Sequence, residues 1–285
     1  MKLKFFTLSL IAAGLFSTSC LKEDHSDCYN IYKLALSYYG DGDTEIFSQK
    51  IDRVEMYVFD ESAVCVSSGL LSDADVASRS TVLPPLEPGD YSKMLFAAED
   101  YIEGRTVKGN DSLYYASHNL TVLPFDPTVY ERTETISFAS SHYDIYVEVV
   151  NAPDYVGNHP EIEIVGVSPQ TDFENVAKGQ AADYVMETVH DGNNTTTAVS
   201  NIMRHKNHGE VWLRVTGEDG NQVAMINFAD HIEANKEYID TSKHECLIPF
   251  RIEFGTPEYP IEDGECLEIS ITVPKWVVEN VTPEF

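Results

Sequence analysis

The clearest candidate for chemistry in this chain is a cysteine near the N terminus that follows three small residues. Ser17, Thr18 and Ser19 stand directly before Cys20. Small side chains fit the groove of a signal peptidase, and a thiol placed directly after such a site can accept a diacylglyceryl group. The spacing therefore predicts that Cys20 is lipidated and becomes the mature N terminus.

The segment before this cysteine supports the same interpretation. Lys2 and Lys4 precede an apolar run of 12 residues from Phe5 to Phe16. As a helix, the run would span about 18 Å at about 1.5 Å per residue. The hydrocarbon core of a bilayer is ~30 Å thick, so the run is too short to cross it. Residues 1–19 are interpreted as a lipoprotein signal peptide; the alternative is an ordinary signal peptide that happens to end near a cysteine.

Further export features follow the cysteine. Lys22, Glu23 and Asp24 resemble the basic-then-acidic tag of surface lipoproteins in Bacteroidetes-type bacteria. We therefore expect a protein that is lipid-anchored in the outer membrane and exposed on the cell surface, with residues 20–28 as a lipidated tether. The alternative is that these residues are only a solvated tether and carry no export signal. The tripeptide at 111–113, Asp-Ser-Leu, matches a short O-glycosylation signal of exported proteins, which predicts an exposed loop there.

The charge of the chain restricts its partners. The full sequence carries 19 basic and 47 acidic side chains, for a net charge of −28. Removing residues 1–19 takes away two lysines and no acid, which leaves −30. Such a field disfavours nucleic acid and anionic lipid as partners. Asp41, Asp43 and Glu45 could offer oxygen ligands to calcium, but a solvated acidic turn is the better interpretation.

Catalytic motifs are absent from the sequence. There is no Gly-x-Ser-x-Gly elbow, no His-Glu-x-x-His and no phosphate-binding or dinucleotide-binding glycine loop. His205 and His208 lie three residues apart, but Asn201, Asn207 and Gly209 around them favour a loop and an exposed pair without function. We therefore predict a non-enzymatic protein with no cofactor and no metal.

Four cysteines remain after Cys20, namely Cys28, Cys65, Cys246 and Cys266. Export permits disulfides, and four thiols allow three connectivities. No two of them have the spacing of zinc ligands. Cys246 lies in phase with core-facing residues of its strand, which predicts a buried free thiol, whereas the pairing of Cys28 and Cys65 stays open.

The dominant period of the chain is two, which indicates half-buried strands. Apolar residues alternate at Leu34–Tyr38, at Val54–Val58 and at Tyr143–Val149. A later run from Val211 to Val215 leads through a glycine-containing loop to Val223 and Met225, which predicts a hairpin. Two more strands alternate at the end of the chain, one at Cys246, Ile248, Phe250, Ile252 and Phe254 and the other at Leu267, Ile269, Ile271 and Val273.

Short strands separated by Gly, Pro, Asn and Asp describe antiparallel β-sandwiches. Only two stretches favour a helix, one capped by Ser72 and one running from Asp230 to Tyr238. A serine-rich turn at Ser140 and Ser141 precedes the strand that opens the second half. We therefore expect a first sandwich at 29–142 and a second at 143–285, packed in a fixed relation.

Landmarks along the mature chain resemble a known family, the FimB/Mfa-type fimbrial anchor lipoproteins of Bacteroidetes-type (type V) fimbriae. The resemblance covers nearly the whole mature chain. It rests on the segments Cys20–Cys28, Val54–Asp60, Leu86–Tyr91 with Phe96–Ala98, Leu113–Tyr115, Tyr143–Val149, Phe228–Ile232 and Ile269–Trp276.

The resemblance implies an all-β protein of two tandem transthyretin-like antiparallel β-sandwich domains. It further implies an outer-membrane lipoprotein that holds fimbrial stalk subunits by strand exchange, which suits a sheet edge with unpaired backbone groups. The segment from Leu267, with Ile269, Ile271 and Val273, is the candidate donor strand because it alternates cleanly near the chain end; the alternative is that it forms only the last strand of its own domain. The rival functions are a fimbrial tip or accessory subunit and a glycan-binding surface lipoprotein.

Overall fold

The structure is a computed structural model in which strands dominate. No helix of the described part of the chain is long and apolar enough to cross a membrane. Cys20, Lys22, Glu23, Asp24 and Leu267 lie outside the described residues. The described ranges are 28–97, 102–103, 106–108, 112–129, 131–168, 170–172, 175–204, 207–255 and 268–279.

The first half of the chain forms two facing sheets. Their strand orders are β10-β8-β5-β2-β3 and β4-β1-β9. Both sheets contribute buried side chains to one hydrophobic core, whose residues run in sequence from Tyr32 to Phe138. The elements are β1 (Ile31–Ser37), α1 (Phe47–Lys50), β2 (Glu55–Asp60), β3 (Cys65–Leu70), α2 (Asp73–Ser78), β4 (Ser80–Val82), β5 (Gly89–Ala97), β6 (Ile102–Glu103), β7 (Thr106–Lys108), β8 (Tyr114–Val122), β9 (Glu131–Ser137) and β10 (Ala139–Ser140).

The second half repeats this layered arrangement. Its two sheets have the strand orders β16-β17-β11-β20-β21 and β15-β12-β18-β19. They enclose a second hydrophobic core, whose residues run in sequence from Tyr143 to Val273. The elements are β11 (His142–Val150), β12 (Glu161–Val167), β13 (Gln170–Asp172), β14 (Ala177–Lys178), β15 (Ala182–Met186), β16 (Thr188–His190), β17 (Thr195–Met203), a 3-10 turn (His208–Glu210), β18 (Trp212–Thr216), β19 (Gln222–Asn227), α3 (Phe228–Ala234), β20 (Leu247–Phe254), β21 (Ile269–Thr272) and α4 (Lys275–Val278).

The period-two pattern explains why these segments form sandwiches, and the predicted all-β fold class is confirmed. Leu34 and Leu36 of β1, and Tyr38 just after it, are all buried on one face. Ile145 and Val147 are likewise buried on one face of β11. Each such side chain contributes about 1.5–3 kcal/mol by leaving water. A strand with one apolar face therefore gains most when that face lies against a second sheet.

The described strands pair antiparallel as predicted, with two parallel exceptions. β1 pairs in parallel with β9, from Ile31 opposite Glu131 to Ser37 opposite Ser137. β11 likewise pairs in parallel with β20. Parallel neighbours need a long crossover, and the chain supplies one in each half by passing through other strands before it returns. Each half thus pairs its opening strand with one of its own late strands.

The predicted hairpin after β18 forms, but its second strand has the opposite phase. A register shift between Val215 and Thr216 interrupts the pairing of β18 with β19. Ala224 and Ile226 therefore face the core, whereas Met225 is exposed. The expectation for Met225 was wrong because a bulge moves every following side chain to the other face of the sheet.

The described part of the chain contains four short α-helices where two were predicted, and one of the predicted helices begins at a different residue. Ser72 caps α2 as expected, since its Oγ accepts a hydrogen bond from the Asp75 backbone N–H at 3.2 Å. α3 begins at Phe228, before Asp230, because the Asn227 side chain at the end of β19 already accepts from the backbone N–H of Ala229 at 3.0 Å. α1 and α4 were not predicted; four residues are too few to display a helical period.

The acidic turn at Asp41 joins the two halves of the chain through hydrogen bonds to its carboxylate. Its carboxylate oxygens accept hydrogen bonds from the backbone N–H groups of His244 and Glu245, both at 2.8 Å. The Glu245 carboxylate in turn accepts from Lys50 Nζ at 2.6 Å and from the Tyr38 hydroxyl. These contacts, together with the pairing of β7 with β13, connect the halves at several points.

Two smaller expectations are corrected at the same junction. Leu113 is buried and its backbone N–H bonds to His142 Nδ1 at 3.0 Å, so Ser112 and Leu113 do not form an exposed glycosylation loop; Asp111 lies outside the described residues. His208 is half-buried and places Nε2 3.2 Å from the Tyr143 hydroxyl. It is therefore not an exposed side chain, while His205 also lies outside the described residues.

Cys246 provides a direct test of the second core. Its side chain is buried, and burial raises the pKa of the thiol to about 11. Because the thiolate is the reactive form, we expect alkylation of Cys246 in the native protein to be at least about tenfold slower than that of exposed Cys65. Peptide mass spectrometry after timed alkylation measures both rates. Equal labelling of the two thiols before unfolding would contradict the buried placement.

Candidate strand-exchange edge

The candidate exchange segment forms the edge of the five-stranded sheet in the second half. β21 pairs antiparallel with β20, from Ile269 opposite Phe254 to Thr272 opposite Arg251. Within the described residues no strand lies on its other side. The outward backbone N–H and C=O groups of an edge strand can pair with a strand from another chain.

The side chains of β21 divide between core and rim. Ile269 and Ile271 lie opposite Phe254 and Ile252, which are both fully buried. Ile269 packs against the core, and Val273 just beyond the strand is buried as well. Ile271, however, is 42% exposed. The expectation that Ile271 is buried was wrong because an edge strand has no neighbour to cover its outer flank.

Ile271 leaves apolar surface exposed at the rim of β21. An apolar side chain at a sheet rim gains free energy when another strand covers it, at about 25 cal/mol per Å² of apolar surface removed from water. The edge thus offers a strand both hydrogen bonds and an apolar contact at Ile271. Ser270 and Thr272 on the opposite face are polar and exposed.

An ion-pair network supports the sheet behind this edge. Arg251 of β20 contacts the carboxylates of Glu148 and Glu253, the latter at 3.0 Å. Tyr146 donates its hydroxyl hydrogen bond to Glu148 at 3.3 Å. Burial, with the nearby Glu148 carboxylate, raises the pKa of Tyr146 to about 12, so the hydroxyl stays protonated. The network joins β11 to β20, the strand on which β21 pairs.

The chain after β21 is clamped to the same sheet. Val273 and Pro274 are buried, and α4 follows directly. The Trp276 ring meets the Tyr146 ring edge-on, with centroids 5.4 Å apart. Releasing β21 as a donor strand would therefore also require Val273 and Trp276 to leave their sites. This geometry favours a strand that remains in its own sheet and offers its outer edge.

The sequence pattern predicted the strand but not the clamp. Ile269 and Val273 lie in the core as their phase indicates, whereas Leu267 is outside the described residues. A signal for the clamp was present, since Trp276 follows Pro274 by two residues and is one of 2 tryptophans in the chain. The role of Arg251 could have been suspected because a charged residue alternates there with Phe250 and Ile252.

Comparison with known proteins places this fold in a defined group. Residues 25–103 and 90–282 match the family model described as "Fimbrillin-A associated anchor proteins Mfa1 and Mfa2". The chain is also similar to the "Major fimbrium anchoring subunit FimB" of Porphyromonas gingivalis, with 32% identity over 93 residues. That match covers 32% of this chain and 29% of the relative, so less than a third of the relative's length is spanned.

Solved structures share the fold at low sequence identity. The fimbrial anchor protein Mfa2 from Porphyromonas gingivalis matches with a TM-score of 0.64 and 15% identity, over 85% of this chain and 97% of that one. A candidate adhesin from Bacteroides ovatus matches with a TM-score of 0.69 and 13% identity, over 87% and 94%. A candidate polysaccharide-binding protein from Bacteroides thetaiotaomicron matches with a TM-score of 0.61 and 19% identity, over 80% of this chain and 92% of that one. At such identities, the likeness concerns the fold alone.

Proposed function

Because the chain belongs to the family of fimbrillin-A associated anchor proteins Mfa1 and Mfa2, we propose that it anchors a fimbria to the cell surface as an outer-membrane lipoprotein. The family match across residues 25–282 is the observation that carries the proposal. The family is one of structural anchor proteins rather than enzymes, and the proposed role is non-enzymatic. It requires one attachment to the membrane and another to the fibre.

The proposed membrane attachment is the lipid on Cys20. Several acyl chains on one residue hold a protein firmly, whereas a single chain binds a membrane only marginally. Lys22, Glu23 and Asp24 would direct the protein to the surface, and residues 20–28 would form the tether. The two sandwiches, proposed as domains at 29–142 and 143–285, would then project from the outer leaflet.

The proposed fibre attachment is the edge at Leu267, Ile269, Ile271 and Val273. The free edge of β21 and the exposed part of Ile271 support strand exchange with a stalk subunit. The buried Val273 and the ring contact of Trp276 favour an acceptor role for this edge. A stalk subunit would add one strand beside β21 and cover Ile271.

Co-isolation tests the function as a whole. The native protein is solubilised from outer membranes in detergent, captured through an added tag, and its partners are identified by mass spectrometry. We expect fimbrial stalk subunits in amounts well above those captured by a tagged outer-membrane lipoprotein of unrelated fold. Capture of no fimbrial subunit from fimbriated cells would contradict an anchoring role.

Replacing Trp276 with alanine tests the direction of strand exchange. Loss of the contact with Tyr146 should loosen α4 and disorder the edge, at a cost of about 1–3 kcal/mol in stability. If β21 is an acceptor, the variant captures fewer stalk subunits. Capture that rises above wild type would instead identify β21 as a donor released from its clamp. Trp212→Ala in the facing sheet is the matched control, and melting curves report the stability of both variants.

A further inference from the structure

A lysine is fully buried inside the first sandwich. Lys93 lies near the middle of β5, with Val58 of β2 and His118 of β8 as its Cα partners. Its side chain has 0% exposure, and among the described residues its Nζ has no hydrogen-bond partner. A buried amino group without hydrogen bonds is costly as an ammonium ion, so its presence between two sheets needs an explanation.

Two further titratable groups face this lysine. Glu134 of β9, in the opposite sheet, places Oε2 3.7 Å from Lys93 Nζ. His118 places Nε2 2.5 Å from the same Oε2 atom. The side chains of Glu134 and His118 are 24% and 35% exposed, so the site opens to solvent on the side away from the lysine. An amine, a carboxyl group and an imidazole thus meet between the sheets.

We propose that Lys93 and Glu134 form an intramolecular isopeptide bond that links the two sheets of the first sandwich. In the neutral pair, the Nζ lone pair attacks Cδ of the protonated Glu134 carboxyl group and forms the new C–N bond. One C–O bond breaks, and its oxygen leaves as water with the proton that it carried and one proton from Nζ. His118 transfers that second proton. Amine and carboxylic acid become amide and water, so the step requires no oxidant, reductant or co-reactant.

The surroundings favour this condensation. Burial lowers the pKa of Lys93 to about 8, although the Glu134 carboxylate opposes the shift. The neutral amine is therefore more accessible than in water. Val58, the Cα partner of Lys93 in β2, is fully buried, and the partly exposed side chains of His118 and Glu134 give the product water a way out. A neutral amide would also remove the cost of burying the lysine's charge.

The bond would join β5 of the five-stranded sheet to β9 of the three-stranded sheet. β9 also pairs in parallel with β1 along its full length, so the hydrogen bonds of that pairing would hold β1 to the cross-linked strand. Such a cross-link resists separation of the sheets under tension. This benefit matches the proposed function, but the chemistry depends only on the three side chains.

Tryptic digestion of the denatured wild-type protein, purified from membranes, tests the inference. A free Lys93 is cleaved by trypsin, whereas a linked one is not. We expect one species that joins residues 80–105 to residues 133–178, lighter than the two separate peptides by one water. It should disappear in Lys93→Met and Glu134→Ala. His118→Ala should reduce the linked fraction at least fivefold in newly made protein.

Complete cleavage after Lys93 in the wild-type protein, with the 133–178 peptide recovered alone, would overturn the proposal. This result does not depend on whether any variant folds. A linked fraction that is unchanged in His118→Ala would overturn the assignment of proton transfer to His118. Thermal melting of the variants, measured in parallel, separates a loss of the bond from a loss of the fold.

Discussion

Replacing Cys20 with alanine is expected to move the protein out of the membrane fraction and to release assembled fimbriae into the medium. In the proposed role, retention would depend on the lipid, whereas polymerisation of the stalk would depend on sheet edges far from residue 20. Fibres should therefore still form but should no longer be held. Because the proposed acyl chains would provide nearly all of the membrane affinity, we expect loss of most of the cell-bound fimbriae rather than a partial decrease.

Palmitate labelling, membrane fractionation and electron microscopy of cells and medium measure this outcome. Cys65→Ala is the matched control, since Cys65 is an exposed cysteine of β3 and lies outside the predicted lipidation signal. The control should remain labelled and membrane-bound. Labelling that persists in Cys20→Ala would show that the lipidated residue was misidentified. If the Cys20→Ala variant is not labelled but fibres remain on the cells, the fibres must be attached to the membrane by something other than this lipid.

Alternation of apolar residues was sufficient to predict some strands of both cores, but β8 and β9 in the first half and β12 and β17 in the second were not predicted. Leu34 and Leu36 in the first half, and Ile248 and Phe250 in the second, are buried as their phase requires. The pattern succeeds because each strand covers one side of a sandwich, so its period is a direct consequence of burial. The same logic predicted the buried thiol of Cys246.

The pattern fails where a structural feature depends on strands distant in sequence. A bulge between Val215 and Thr216 reversed the phase at Met225, and the edge position of β21 left Ile271 exposed. Parallel pairing of β1 with β9 joins residues about a hundred positions apart, and alternation alone contains no information on pairing partners. Propensity and period describe a strand by itself, whereas these features belong to its neighbours.

The candidate site shows the same division. Sequence alternation identified the strand that contains Ile269, but the clamp by Trp276 and the ion pair of Arg251 with Glu148 depend on side chains that meet only in the folded sheet. Lys93 is the exception that a sequence reader could have noticed. Lys93 alternates with Tyr91 and Leu95 along the same strand, so it takes a position where an apolar side chain is expected. A charged residue at such a position indicates either that the strand was assigned the wrong inward face or that the charged group is buried for a function.

Two substitutions in β21 should separate binding of the fibre from stability of the second sandwich. Ile269→Asp introduces a charge next to the core, because Ile269 packs against that core. A loss of about 3 kcal/mol is expected, which at roughly 2–4 °C per kcal/mol lowers Tm by about 10 °C. Ile271→Asp should change Tm by only about 1–3 °C, since its carboxylate can reach water at the rim.

Capture of stalk subunits should respond differently from melting. If a strand is added at the edge of β21, Ile271→Asp places a carboxylate where that strand must cover an apolar side chain, and capture should fall at least about tenfold in a protein that remains folded. Ile271→Val is the conservative control and should capture like wild type. Should Ile271→Asp melt and capture like wild type, β21 cannot be the contact. The partner strand would then have to pair with another edge, of which β3, with exposed Val66 and Leu70, is the next candidate.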